Sequence, residues 1–174
     1  HNAVGGHIAR NRRVVLPDQL NVMKRLAFHV VTTAQSSPDN RRLVLMIGQA
    51  GTGKTWTIDA ITHCLNSRAP GSVMLVAPTG KAALLINGAT YQSWDHGLCI
   101  PCGNIGRQPL KGDTLARFQE RMERVETLII DEFRMMSMED LFWIDSRLRQ
   151  GKARMDTPFG GITVLMSGDP GQLP

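Results

Sequence analysis

The chain has 174 residues, 42% of them apolar, enough to bury one good core and too few for two ordinary domains. Its longest apolar runs are about five residues, as in Leu43 to Ile47, against the roughly 18 needed to cross a bilayer, so no membrane segment is expected. The formal charge of +5 comes from 20 basic and 15 acidic residues. Most of the basic residues are arginine, whose planar fork pairs with phosphate in a bidentate way.

In chain order, His1 to Gly6 carries no basic-then-apolar signal pattern, and the initial His suggests a processed or excerpted chain from which a targeting peptide can have been lost. Arg10, Arg12 and Arg13, and later Arg41 and Arg42, could touch nucleic acid or could form a solvated face that keeps the domain soluble. Leu16, Leu20, Met23, Ala27, Val30 and Ala34 recur at spacings of four and three, with Pro17 suited to a first turn, which predicts one amphipathic helix. Ser36 to Asn40 breaks it. Leu43 to Ile47 is apolar on both faces and reads as a fully buried strand, with a helix starting near Gly53.

Val73 to Ala77, Thr127 to Ile130 and Ile162 to Met166 are three further short apolar runs, each ending in a polar or Gly-containing turn. Between them lie helical patterns over Lys81 to Asn87, over Leu115 to Val125 after an Asp113 cap, and over Met138 to Arg149 after Ser137-x-x-Asp140. This alternation predicts an α/β domain with a mainly parallel sheet, flanked by helices, whose ligand sits at the carboxyl ends of the strands. Residues 95 to 112 are rich in Gly and Pro, lack periodicity, and read as a long surface excursion.

The cysteines are three in number, which without a secretory signal argues for a reducing compartment. His96, Cys99 and Cys102 form an H-x-x-C-x-x-C run, but a structural zinc site needs four ligands. Cys64 falls in a different predicted helix, so no zinc is expected.

Gly48-Gln49-Ala50-Gly51-Thr52-Gly53-Lys54-Thr55 is the pattern G-x-x-x-x-G-K-[ST], placed after a buried strand and at the start of a helix. Its glycines let backbone N–H groups curl around phosphates, Lys54 reaches the terminal phosphates, and Thr55 offers a hydroxyl to Mg²⁺. Hydrolysis of a bound nucleotide also needs a second metal contact and a group to orient water. Asp131 and Glu132 follow the buried Leu128-Ile129-Ile130 run, where an unmatched charge would be costly without a cation to meet it. Asp131 is the expected metal-side residue and Glu132 the water-activating base. Gly168-Asp169-Pro170-Gly171-Gln172 ends the last strand and brings Gln172 toward the same edge, where an amide can sense the γ-phosphate or its water.

Taken together these motifs resemble the superfamily-one helicases of the petite-integration-frequency (Pif) type, relatives of the RecD helicases, from about Leu16 to Pro174. Leu16-Pro17-Asp18-Gln19 resembles the Q motif, so Gln19 inherits adenine reading. The resemblance assigns ATP to Gln19, Gly48, Gln49, Ala50, Gly51, Thr52, Gly53, Lys54, Thr55 and Trp56. Ala77-Pro78-Thr79-Gly80-Lys81-Ala82-Ala83 resembles motif Ia, which grips single-stranded DNA through Thr79, Gly80 and Lys81. Gly88 to Trp94 resembles the next DNA-contacting segment, which adds Gln92, Ser93 and Trp94. Either Tyr91 or Trp94 could stack on a base, or be buried in the core. Leu128 to Met135 resembles motif II, the stretch through Gly151 the family's signature segment, and Phe159 to Pro174 motif III.

Three positions depart from the family's pattern: Gln92 stands where His is usual, Arg134 where Ser is usual, and Pro170 where an aromatic is usual. The Gly97 to Thr114 excursion resembles a segment of Pif-like helicases from mobile elements and fungal genomes, where its cysteines are not metal ligands.

The resemblance implies a RecA-like P-loop NTPase domain, with an arm over residues 1–15 and a first motor domain over 16–174, the second motor domain being absent. The implied function is ATP hydrolysis coupled to translocation on single-stranded or forked DNA, 5′ to 3′, with Mg²⁺ as cofactor. Work in repair, recombination or telomere upkeep, a monomeric state, and a nuclear or mitochondrial site inside the cell are implied in the same way. Without a second domain's arginines the chain is expected to turn over ATP slowly. Two alternatives stand beside this one: a catalytically dead, DNA-binding remnant of a mobile element, and a P-loop ATPase with no nucleic-acid partner.

Overall fold

Branched and long apolar residues at four sites, and a two-residue bridge at a fifth, build one sheet. The computed structural model describes residues 15–35, 43–103, 107–169 and 171. Its helices are α1 (Val22–Gln35), α2 (Lys54–Arg68), α3 (Gly80–Leu85), α4 (Gly112–Met122) and α5 (Met138–Gly151). Its strands are β1 (Leu43–Ile47), β2 (Val73–Ala77), β3 (Ala89–Thr90), β4 (Thr127–Ile130) and β5 (Thr163–Gly168). They lie in the order β1-β5-β4-β2-β3, every neighbouring pair parallel.

Parallel strands must be covered on both faces by their crossover helices, and the two cores divide accordingly. Leu128, Ile130, Val164 and Met166 pack with Phe118 and Met122 of α4 and Ile144 and Leu148 of α5. Ile129, Leu165 and Ala77 point the other way, onto Phe28 and Val31 of α1, Ile58, Ile61 and Leu65 of α2, and Ala82, Ala83 and Ile86 around α3. The period of two along β4 and β5 sorts residues between the cores. Ser137 caps α5 reciprocally with Asp140, as the Ser-x-x-Asp spacing predicts.

Several expectations are corrected. β1 is an edge strand, and Leu43, Leu45 and Ile47 are 51%, 53% and 58% exposed; a run that is apolar on both faces marks a central strand only when both neighbours are present. The single helix expected from Leu16 is split. Pro17–Gln19 is a 3-10 turn, Leu20 is extended, and α1 begins at Val22. Of the predicted stripe, Leu20 and Ala34 are buried, together with Phe28 and Val31, whereas Leu16 is exposed and Met23, Ala27 and Val30 line an open groove beside β1.

The last strand runs two residues past Met166, through Ser167 and Gly168. Helix α3 begins at Gly80 and ends at Leu85, and Lys111, not Asp113, caps α4. The excursion is not a surface loop throughout, for Leu98, Cys99, Ile100 and Leu110 are buried in the α4–α5 core. Lacking a ladder to pair its carbonyls, this irregular backbone uses arginines. Arg147 of α5 donates to Cys99 O at 3.3 Å from both Nε and Nη2, and to Gln108 O at 2.7 Å. Arg107 donates to Pro101 O at 3.2 Å and pairs with Asp140.

Candidate functional site

The Gly-rich loop, the Asp131-Glu132 pair, Asp169 and the Thr79–Lys81 segment follow the carboxyl ends of β1, β4, β5 and β2. Beyond β1, Gly48 N donates to Gly168 O of β5 at 3.1 Å, which extends the β1–β5 ladder into the Gly-rich loop. Gly53 has φ +83° and ends the loop immediately before Lys54 opens α2; a left-handed residue there suits glycine. Lys54 Nζ lies across the loop and donates to Gly48 O at 2.6 Å and Gln49 O at 3.0 Å. Thr52 Oγ1 donates to Gln49 O at 2.7 Å, and Ala50 N donates to Asp169 Oδ2 at 2.6 Å. The loop is thus held in a closed curve by its own lysine and by the carboxylate of the residue that follows β5.

Asp131 and Glu132 leave β4 beside this loop. Asp131 is 5% exposed, its N–H continues the ladder to Val76 O at 3.0 Å, and its Oδ1 is buried with no hydrogen-bond partner. A buried carboxylate oxygen without a donor is a position that a cation would satisfy. Glu132 adopts a left-handed backbone (φ 54°), an uncommon conformation for a residue with a side chain. Its carboxyl is pushed above the ordinary range, first by burial and then by the Asp131 charge, with Lys54 opposing and Asp169 adding to the rise. The groups that act on Glu132 are therefore the loop lysine and two further acids.

Gly168 explains how motifs II and III come together. A Cβ there would lie 2.8 Å from two atoms of the Phe133 ring, so only glycine lets the turn after Glu132 lie on β5. Arg134, exposed on the same turn, has its Cγ 3.6 Å from that position. It sits over motif III, and no contact accounts for arginine there.

The DNA-side candidates lie two strands away. Thr79 caps α3, its Oγ1 accepting from Ala82 N at 3.3 Å, and Gly80 and Lys81 are exposed. The Gln92 amide oxygen is buried with no partner, and Ser93 Oγ accepts from His96 N at 3.2 Å. Trp94 is 54% exposed, whereas Tyr91 is 3% exposed and hydrogen-bonded to Asp140, and its hydroxyl is pushed up to about 12, first by burial. Of the two aromatics considered for stacking, Tyr91 belongs to the core and Trp94 to the surface.

The family comparison agrees with this arrangement. Residues 19–174 match the family described as PIF1-like helicase. The chain belongs to that family. An ATP-dependent DNA helicase Pif1 of a Psychrobacter species is 35% identical over 131 residues, covering 75% of this chain and 19% of that protein. The ATP-dependent DNA helicase RRM3 of Saccharomyces cerevisiae is 33% identical over 138 residues, 77% of this chain and 18% of its own length. A Bacteroides Pif1 helicase, solved in complex with ADP-AlF3 and single-stranded DNA, superposes with a TM-score of 0.70 at 31% identity, over 89% of this chain and 33% of that one. The chain thus spans about a fifth of the length of these curated relatives, and the expected RecA-like fold is borne out.

Within the PIF1-like family frame, the expected residues separate by environment. Lys54 acts electrostatically on Glu132, the neighbour of Asp131, and Thr55 follows Lys54 as the second residue of α2. Gln19 is exposed, and its Oε1 accepts from Leu16 N at 3.1 Å. Trp56 packs partly into the α1–α2 core. Gln172 and Pro170, with Arg10, Arg12, Arg13, Arg41 and Arg42, fall outside the described residues. Cys99 Sγ donates to Trp94 O at 3.3 Å, and Cys102 is exposed.

Two residues escaped the motif reading. Asp169, read as part of a turn, holds Ala50 N. Lys24 of α1 brings its Nζ to 2.7 Å from where a Gly53 Cβ would be. Neither carries a sequence signal beyond charge, because each reaches the loop from a distant segment.

Proposed function

We propose that this chain is the first motor half of an ATP-dependent DNA helicase, binding Mg-ATP at Lys54, Thr55 and Asp131 and single-stranded or forked DNA across Thr79 to Trp94. The observation that carries the reading is the placement of the loop lysine, the buried unpartnered Asp131 oxygen and the raised Glu132 carboxyl on one sheet edge, two strands from the exposed Trp94.

In this reading, Lys54 exchanges its bonds to Gly48 O and Gln49 O for phosphate oxygens, and loop N–H groups face the same anion. The orphaned Asp131 oxygen and the Thr55 hydroxyl are the donor types that fit Mg²⁺; when bound, the ion neutralises charge on the transferring phosphoryl group. Glu132 takes the proton of the attacking water on its carboxylate. Its raised affinity for protons brings it closer to the neutral range where a general base works best. Gln172 would orient that water. Opposing arginines come from a second motor domain and are worth roughly 10³–10⁵ in rate. Movement from 5′ to 3′, a monomeric state, roles in repair, recombination and telomere upkeep, and a nuclear or mitochondrial site belong to the same proposal.

The test is nucleotide binding and turnover by the chain, with and without oligo-dT and Mg²⁺, with Lys54→Ala as the blank. Mg-dependent binding lost in Lys54→Ala, slow turnover and no unwinding are expected. Binding indifferent to Lys54→Ala refutes the site, and unwinding of a forked duplex by these 174 residues refutes the need for a second motor half. Salt-sensitive DNA binding without nucleotide binding would instead mark a catalytically dead DNA-binding protein.

A further inference from the structure

The loop that presents Trp94 is folded around a cation from another element. Ser93 N donates to Thr90 O, Gly97 N and Cys99 N both donate to Ser93 O, and Leu98 N donates to Tyr91 O, at 2.9 to 3.2 Å. These bonds turn the carbonyls of Trp94, Asp95 and Gly97 inward, where their negative ends converge. Arg121 of α4 fills the centre. Its Nη1 donates to Trp94 O and Asp95 O, both at 2.7 Å, and its Nη2 donates to Gly97 O at 2.6 Å and to Cys99 Sγ at 3.4 Å. The guanidinium also lies over the Phe118 ring, 5.2 Å from its centroid.

We infer that Arg121 is a positioning residue for DNA binding: by clamping the carbonyls of residues 94, 95 and 97 it holds the Trp94 ring in place for a base. This rests on the reading of residues 92 to 94 as a DNA contact. Arg121 itself is not a phosphate ligand. A guanidinium has four terminal N–H donors besides Nε–H, and the four contacts above use all of them, while Nε is buried. Without the cation the three carbonyls repel one another, and a loop with no strand pairing of its own samples other conformations. The indole then pays an ordering cost on binding that it now avoids. Lysine would keep a charge and three donors at the centre, but without the fork.

The experiment is a double-mutant cycle on the chain, with Trp94→Ala, Arg121→Gln and the pair together, and Arg121→Lys beside them. Affinity for fluorescein-labelled oligo-dT is read by anisotropy at fixed salt, and tryptophan emission is followed as DNA is added. Circular dichroism and the affinity for Mg-ATP report the fold. Base stacking predicts a loss of about 5- to 150-fold for Trp94→Ala. Arg121→Gln should weaken binding by a similar factor and remove most of the emission quenching that Trp94→Ala removes. It should have little further effect in the Trp94→Ala background, and Arg121→Lys should recover part of the loss.

If Trp94→Ala leaves DNA affinity unchanged, the reading of this loop as a DNA contact fails, and the inference with it. If Trp94→Ala weakens binding but Arg121→Gln does not, or if Arg121→Gln weakens it equally in both backgrounds, the positioning role alone is overturned. Should Arg121→Gln unfold the chain, Arg121→Lys carries the test by the same criteria.

Discussion

Replacing Arg147 by Met tests whether arginines substitute for secondary structure in the excursion. Arg147 is 1% exposed and sits against the Trp143 ring at 5.5 Å. Burial lowers its pKa, but such a group stays charged at any ordinary pH. Its donors serve Cys99 O twice, Gln108 O, and Gln150 Oε1 at 2.9 Å. Met of similar reach leaves these acceptors unequal. Gln108 is exposed and can take water, and Gln150 Oε1 keeps its bond from Leu110 N at 3.2 Å. Cys99 O is buried and keeps nothing, which costs about 1–3 kcal/mol, and the lost charged bond to Gln150 adds about 1 kcal/mol. A net loss of about 2–4 kcal/mol corresponds to a fall in Tm of about 4–16 °C for a domain of this size. Thermal unfolding followed by circular dichroism measures it. Arg147→Lys should fall between wild type and Met, because one ammonium cannot span Cys99 O and Gln108 O as the fork does. A Tm within about 2 °C of wild type for Arg147→Met would refute the claim that this guanidinium folds the excursion.

Three further perturbations read other parts of the site. Gly168→Ala should push Phe133 off β5 at a cost of about 1–3 kcal/mol and displace Glu132, seen as a lower Tm together with weakened Mg-nucleotide binding. Unchanged values for both would mean that the turn gives way freely. Glu132→Gln should stabilise the nucleotide-free fold at neutral pH while abolishing turnover. The folded carboxyl binds its proton more tightly than the unfolded one, whose ordinary value is 4.5, so its stabilising effect is full below that value and is lost as pH rises through the folded pKa. The Tm advantage of Glu132→Gln over wild type should therefore be present at pH 7.5 and vanish near pH 4. An advantage that is constant across pH would place its origin elsewhere. Asp169→Asn keeps a weaker acceptor for Ala50 N, whereas Asp169→Ala removes it. Nucleotide affinity should fall in the order wild type, Asn, Ala, as measured by titration calorimetry.

The parts of this fold legible in the sequence are those written in contiguous residues. The 48–55 loop, the Asp131-Glu132 strand end and the Ser137–Asp140 capping box each place their chemistry within eight neighbouring positions, and each appears where its spacing puts it. What failed depended on neighbours. Leu43 to Ile47 has the composition of a central strand, but exposure follows from its place at the end of the β1-β5-β4-β2-β3 order, which no local window contains. The α1 stripe failed for a related reason. Residues 16 to 34 offer apolar side chains at two helical phases, and the packed core selects Phe28 and Val31 over Met23 and Val30. The two-residue β3 is too short to carry a period.

Distance along the chain also decided which site residues were missed. Asp169 reaches Ala50 across 119 positions, and Arg121 reaches Trp94 across 27; a charged residue on a helix reads as surface until its partner is known. The same logic applies to the three residues of the H-x-x-C-x-x-C run. Their spacing suggested ligands for one cation, but in the fold Cys99 accepts from Arg121 through sulfur and from Arg147 through its carbonyl. Two guanidiniums from separate helices thus meet at one residue and tie the segment that leads from Trp94 into the core. Next to the Trp94 loop stands a frame of buried charged contacts, with Asp140 joining Tyr91, Arg107 and the Ser137 cap. A displacement of the Trp94 loop would have to break bonds in that frame before the loop could move independently of α5. In the proposed motor, such stiffness would serve coupling between the nucleotide site and DNA, since a slack connection would dissipate the motion before it reached either end.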